Sequence, residues 1–207
     1  MKAVFTFTLV ALLARADAPT GPAAATVKVA AGGGTGSGAV IGRGGPDVYV
    51  LTAAHVVPAG KAVTVTLPGG KAVKAELVAR EDGPDLAVVR FPAAPGVPAA
   101  LKLAASGVTP KTVASGGWEA GAAPTSRPEA IKTKARVKRP GEAVAVLCWE
   151  TEQRPAAGRS GGPLVDEAGR LVGVAAGHDG ATGFYTHADE VRAFLRRTGL
   201  NWLTDDR

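Results

Sequence analysis

The sequence predicts an all-β protein made of two halves of short strands and closed by a single C-terminal helix. Three observations carry that expectation. The 207 residues include 28 Gly and 15 Pro, a turn-rich count. Short apolar alternations of strand length recur throughout, bounded by Gly and Pro. Only one segment, 188–197, spaces its apolar residues as a helix does, with Val191, Phe194 and Leu195 on one side and charges on the other.

In chain order, strand patterns run over 27–31, 38–41, 48–57, 62–67, 72–78 and 86–91. Pro68-Gly69-Gly70 marks a turn between the fourth and fifth of these, and Pro92 closes the sixth. Residues 93–100, rich in Pro, Ala and Gly, read as a surface connection between the halves. The second half continues with patterns at 111–114, 131–138, 143–149, 162–165, 171–175 and 184–186. Thr186 and Asp189 resemble a capping box for the helix, and Gly199 stands where it would stop. No internal repeat is visible.

Composition is globular, 46% hydrophobic and 20% charged, and aromatics are only 5%, so Val, Leu and Ala must fill the core. The formal net charge of +6 does not imply nucleic-acid binding. Basic residues are dispersed except for Lys132, Lys134, Arg136, Lys138 and Arg139. These alternate with Thr133, Ala135 and Val137 as on the solvent face of a strand. No nucleic-acid-binding motif accompanies them.

The N-terminus reads as a cleavable secretory signal over residues 1–16. Lys2 is the charged lead, 3–13 is an apolar stretch too short to span a bilayer, and Ala14-Arg15-Ala16 offers small residues to a signal peptidase. The expectation is a secreted or periplasmic protein beginning at Asp17, with 17–25 a flexible lead-in and no stable membrane insertion. Cys148 is the single cysteine, so no intrachain disulfide forms and the core alone must hold the fold.

The chemistry concentrates in three places. In Gly158-Arg159-Ser160-Gly161-Gly162-Pro163-Leu164, glycines allow a tight turn that exposes a serine hydroxyl and turns backbone N–H groups outward. A hydroxyl needs an adjacent base, and Leu51-Thr52-Ala53-Ala54-His55-Val56-Val57 offers one: small residues leave room for the His55 imidazole. His178, in a Gly-rich loop, and His187, before the helix, lack such surroundings. The imidazole in turn needs a carboxylate to fix its tautomer. Between His55 and Ser160 the only aspartates are Asp82 and Asp85. Asp85 directly precedes the strand pattern Leu86-Ala87-Val88-Val89, whereas Asp82, beside Glu81 and Gly83, reads as a solvated turn residue.

Thr52-Ala53-Ala54-His55, Asp85-Leu86-Ala87-Val88 and Gly158-Arg159-Ser160-Gly161-Gly162-Pro163, in the order His, Asp, Ser, resemble the trypsin/chymotrypsin-type serine proteases. The cysteine-poor, exported version is most similar to the protease domain of the HtrA/Deg family. The resemblance covers most of residues 26–198. It implies two packed six-stranded antiparallel β-barrels, about 26–95 and 105–187, with the active site between them and the helix at 188–198. It implies an endopeptidase working through an acyl-enzyme. Ser160 would be the nucleophile, His55 the general base and acid, and Asp85 the orienting carboxylate. Gly158 and Ser160 would supply the oxyanion hole, and polypeptides would be the substrates, with no metal or cofactor required. The specificity pocket would be walled by Arg154 with 155–157 and by Ala175, Ala176 and Gly177. Arg154 at its base would disfavour a basic side chain next to the scissile bond.

Two departures qualify the resemblance. The sequence ends soon after its helix, so regulation through the PDZ domains usual in HtrA proteins is not carried over. Arg159 stands where trypsins have an aspartate that pairs with a newly cut N-terminus, and an arginine cannot pair with an ammonium. The alternatives are a catalytically silent member that binds peptides along 175–177, a serine esterase, and a cysteine protease through Cys148. The esterase elbow puts serine before its partners in the chain, opposite to the order here. Cys148 lies in the core-strand context Ala145-Val146-Leu147-Cys148-Trp149.

Overall fold

The structure, a computed structural model, describes residues 20–119, 123–139 and 141–204. The first half is a closed barrel in the order β1-β2-β3-β6-β5-β4. Its strands are β1 Thr26–Ala31, β2 Gly34–Gly44, β3 Asp47–Thr52, β4 Val63–Thr66, β5 Ala72–Glu81 and β6 Leu86–Pro92. The second half is a seven-stranded sheet in the order β8-β7-β11-β12-β13-β10-β9. Here the strands are β7 Val113–Gly117, β8 Thr125–Glu129, β9 Ile131–Val137, β10 Val146–Thr151, β11 Pro163–Asp166, β12 Leu171–Asp179 and β13 Thr182–His187. The two edge strands, β8 and β9, are one run of chain broken only at Ala130, so a sixth strand split in two accounts for the count of seven.

The central strands of the barrel are buried on both faces, which is why they read as continuous apolar runs. In β3, Val48 and Val50 enter the barrel core, while Tyr49 and Leu51 face outward. In β6, Ala87, Val89 and Phe91 point inward, and Leu86 and Val88 point out. The outward set packs against Leu171 and Val174 of β12 and against Val191, Phe194 and Leu195 of the helix α1, Ala188–Arg197. Two cores and the layer between them therefore share one pattern of period two in strands and period 3.6 in the helix. Burying a Leu or Phe fully contributes about 1.5–3 kcal/mol, and this middle layer fixes how the halves sit together.

Several expectations are corrected. The N-cap of α1 is His187, whose Nδ1 accepts from Asp189 N at 3.0 Å, while Thr186 turns away and donates to Pro84 O. Gly199, at φ +74°, does stop the helix. The bonds Gly199 N to Arg196 O and Leu200 N to Leu195 O satisfy its last carbonyls there. The lead-in expected to be flexible forms a 3-10 turn at Gly21–Ala25 with Pro22, Ala23 and Ala25 buried. It is tied to β8 by Ala23 N donating to Ser126 Oγ. Strand β8 carries no signal in the sequence because Pro128 interrupts it. Proline is tolerated there because β8 is an edge strand. The segment 1–16 expected to be a signal lies outside the described residues. No helix among the described residues is long and apolar enough to cross a membrane.

Candidate active site

His55 and Asp85 meet because β3 and β6 are antiparallel neighbours. Thr52, the last residue of β3, pairs with Ala87 near the start of β6. The short 3-10 turn after β3 thus lies beside the turn before β6. Asp85 adopts φ +56°, the only left-handed conformation among the described non-glycine residues. Strain of this kind, on the order of 1–2 kcal/mol, is most readily tolerated by Asp and Asn. It aims both carboxylate oxygens at one residue: Oδ1 accepts from His55 N at 3.0 Å, and Oδ2 lies 2.7 Å from His55 Nδ1. An ionised carboxylate only accepts, so Nδ1 carries the proton and Nε2 is left as the free base. Asp85 is 2% exposed, whereas the His55 side chain is 47% exposed, so the pair joins a buried carboxylate to a half-exposed imidazole.

The turn carrying Asp85 is clamped by the second half. Arg139 donates to the carbonyls of Asp82 and Gly83, and Thr186 donates to Pro84 O at 2.9 Å. Arg139 Nη1 also lies 3.1 Å from Asp85 Oδ2. The basic run 132–139 does lie along an exposed strand face, with Lys132, Lys134, Arg136 and Lys138 exposed. Its last member departs from that reading by turning inward. Asp82 is 61% exposed and paired with Arg80, as expected of a turn residue.

Ser160 sits on the turn before β11, held against the barrel by Ser37 of β2. Ser37 N donates to Ser160 O at 2.7 Å, and Ser37 Oγ donates to Gly158 O at 2.7 Å. Ser37 Oγ also accepts from Trp118 N at 2.7 Å, and Ser37 O accepts from Thr52 Oγ1 at 2.7 Å. One fully buried serine therefore links the Ser160 loop to the strand that leads to His55. Gly161 is required here: at φ +80° it lies so close to that strand that a Cβ would come within 2.7 Å of Ala53 N. With the carbonyls of Gly158 and Ser160 held from behind, neither N–H has a protein acceptor among the described residues. Ser160 Oγ and the His55 ring are not hydrogen-bonded to each other; the imidazole bonds only Asp85.

Beyond the Pro163–Val174 pair, β12 loses its β11 partner but stays paired with β13 as far as Asp179. One edge of the strand at Ala176 and Gly177 is therefore open to an added strand. Ala175 itself is engaged, donating to Gly162 O and accepting from Gly161 N. A cavity of about 520 Å³ lies between that edge and the Asp85 turn, bordered by Pro84, Arg139, Ala176 and Phe184. Arg154 is exposed on the outer surface near Gly180 and Ala181. His178 is exposed too, and His187 is buried at the helix cap, so neither joins His55. Cys148 is buried, and burial raises its thiol pKa to about 12, which keeps it protonated at neutral pH and unsuited to nucleophilic work. Among the described residues, no cluster of His, Cys, Asp and Glu could hold a metal ion.

Sequence reasoning missed Ser37 and Arg139 as parts of this site. Only Arg139 stood inside a segment that drew attention, and it did so as surface charge.

A closed β-barrel and a second β-sheet, with the hydrogen-bonded His55–Asp85 pair on the barrel and the Ser160 turn held against it by Ser37, define a chymotrypsin-like architecture. The family model for the trypsin-like peptidase domain matches residues 36–174, and the chain belongs to this family of serine proteases. It is 33% identical over 172 residues, 79% of its length, to the serine protease Rv3671c of Mycobacterium tuberculosis. It spans 42% of the length of that relative. A 56-residue stretch is 39% identical to the serine protease Do-like HtrA of Lactococcus lactis. The crystal structure of the Rv3671c protease in its inactive form superimposes with a TM-score of 0.74 at 31% identity, covering 86% of this chain and 90% of that one. The active form gives a TM-score of 0.72 at 27% identity, with 95% of each chain covered.

Proposed function

We propose that the protein is an endopeptidase that cleaves polypeptides through an acyl-enzyme on Ser160. The observation that carries this is the pair of hydrogen bonds that the buried Asp85 carboxylate, in a strained turn, accepts from His55 N and Nδ1. Such a pair leaves His55 Nε2 free to act as the base for Ser160. Ser160 Oγ attacks the carbonyl carbon, its proton passes to His55 and then to the leaving amine, and water repeats the sequence to release the acid. The unengaged N–H groups of Gly158 and Ser160 receive the developing oxyanion, each such donor being worth about 10²–10³ in rate. The open edge at Ala176 and Gly177 would hold the substrate backbone as an added strand. Arg154 on the surface, and Ala176 at the cavity beside the open edge, support a small uncharged residue before the scissile bond rather than Lys or Arg. The N-terminal pattern supports export, with a mature chain beginning at Asp17; the intact mass of the secreted protein tests this.

A second reading is a silent peptide binder of the same fold, favoured by the absent hydrogen bond between Ser160 and His55. Catalytic hydrogen bonds are often long before substrate is bound, so the observation does not decide alone. Labelling with a fluorophosphonate separates the two. The enzyme reading requires stoichiometric labelling of the wild-type protein and none of Ser160→Ala; an unlabelled wild-type protein that still binds peptide supports the silent reading.

A further inference from the structure

The residue before the proposed nucleophile is the largest fully buried side chain among the described residues. Arg159 is 1% exposed, and its guanidinium reaches away from the cleft into the second sheet. Nη1 donates to Glu119 Oε1 at 2.5 Å and to Thr125 Oγ1 at 2.8 Å. Nη2 donates to Ser115 O at 2.7 Å and to Ser115 Oγ at 3.0 Å, with a longer bond to Thr125 O. The strand is shaped for it: a Cβ on Gly117 of β7 would come within 3.0 Å of Arg159 Cβ and Nε. A buried charge is costly unless it is paired and hydrogen-bonded, and here β7, β8 and Glu119 supply the pairing.

The same network reaches the other end of the loop. Ser115 Oγ donates to Glu129 Oε1, which also pairs with Arg127 at 2.7 Å, and Arg127 donates to Arg154 O at 3.1 Å. With Ser37 holding the carbonyls of Gly158 and Ser160, the loop from 154 to 160 is fixed at four places. Of these, Arg159 alone is a side chain projecting from the loop itself and covalently next to Ser160.

We propose that Arg159, with Glu119 as its counter-ion, is a positioning residue that locks the oxyanion loop in its open-handed form, with the Gly158 and Ser160 N–H groups unengaged. The lock is internal to the folded chain: its carboxylate comes from the segment after β7, so no newly cut amino terminus is required to set the loop. Because the guanidinium lies behind the loop, it touches neither substrate nor the reacting atoms. Its effect is on how well the oxyanion is met, and hence on turnover rather than on substrate affinity. This inference rests on the proposed peptidase reaction at Ser160.

The test uses Arg159→Met, Arg159→Lys and Glu119→Gln in the full chain. Two quantities are read: kcat and KM on a peptide substrate, and amide hydrogen exchange of the segment 154–161. Arg159→Met should lower kcat about 10- to 100-fold, as expected when oxyanion donors are misplaced rather than deleted, with KM little changed. Methylguanidinium added to it should restore part of that loss. Arg159→Lys should be intermediate, since it keeps the charge without the planar fork, and Glu119→Gln should fall in the same direction. Exchange at 154–161 should quicken in all three while β12 stays protected. Wild-type kcat and wild-type exchange in folded Glu119→Gln and Arg159→Lys overturn the proposal. So does a kcat loss that merely follows the folded fraction, with exchange rising across the whole sheet. Should Arg159→Met fail to fold, the other two variants decide. An inert wild-type protein would instead defeat the peptidase reading, and the exchange measurement would still report on the lock.

Discussion

Arg139 Nη1 lies 3.1 Å from the same Asp85 oxygen, Oδ2, that bonds His55 Nδ1, so two cationic groups from different halves share one carboxylate oxygen whenever His55 is protonated. Arg139 also holds the carbonyls of Asp82 and Gly83, which makes it the brace of the turn that puts Asp85 in its left-handed conformation. Breaking a buried ion pair costs about 3–5 kcal/mol. Arg139 is 31% exposed, so water screens part of this, and about 1–2 kcal/mol is the expected cost.

Arg139→Ala should therefore lower the melting temperature by about 2–8 °C for a protein of this size, and kcat/KM should fall as the turn loosens. Arg139→Lys should recover part of both, because the charge stays and the fork is lost. Thermal denaturation and steady-state kinetics measure the two effects; variants indistinguishable from wild type would show that the brace is idle.

Asp85→Asn separates the conformation of this residue from its charge. Asparagine tolerates the left-handed backbone and can still accept from His55 N. Its amide would face Nδ1 with a donor and turn the ring to the wrong tautomer, a change worth about 10⁴ in kcat in a triad of this kind. Peptide hydrolysis within tenfold of wild type would remove Asp85 from the mechanism.

Ser37→Ala leaves Trp118 N and Gly158 O without the hydroxyl that joins them. An unsatisfied buried group costs about 1–3 kcal/mol, so stability should drop, and turnover should drop with it because Gly158 loses its support. A variant that loses stability but keeps full kcat at a temperature where it is folded would assign Ser37 to folding alone.

His187 gives a pH dependence whose sign follows from its burial. Desolvation holds its pKa below the ordinary value of 6.5, against the opposing pull of Asp189. Its Nδ1 must also stay unprotonated to accept from Asp189 N. As pH falls below 6.5 the unfolded chain takes up a proton that the folded chain refuses, so this contribution to stability is complete above 6.5 and is lost on acidification. The melting temperature should decline from neutral pH toward pH 5. His187→Asn, which can still cap the helix, should flatten that slope; an unchanged slope would place its origin elsewhere.

The pairing of His55 with Asp85 could be expected, and Ser160 singled out beside it, because each lies in a short motif whose neighbours have local reasons: small residues before His55, a strand start after Asp85, glycines around Ser160. Strand periodicity likewise announced both halves, and the span of α1 matches its apolar spacing residue for residue. Long-range polar pairing left no such trace. Ser37 reaches Gly158 across 121 residues, Arg139 reaches Asp82 across 57, and Arg159 reaches Glu119 across 40.

What the sequence by itself determined is therefore the identity of the chemical groups and the apolar pattern that brings β3, β6 and β12 together. What only the tertiary structure decided is which charge meets which. A lysine or arginine in a strand pattern looks the same whether it ends in water or against a buried carboxylate, since its long apolar stem fits either. Arg139 and Arg159 are both inward because the packed halves offer them acceptors, and those acceptors exist only once the chain has folded.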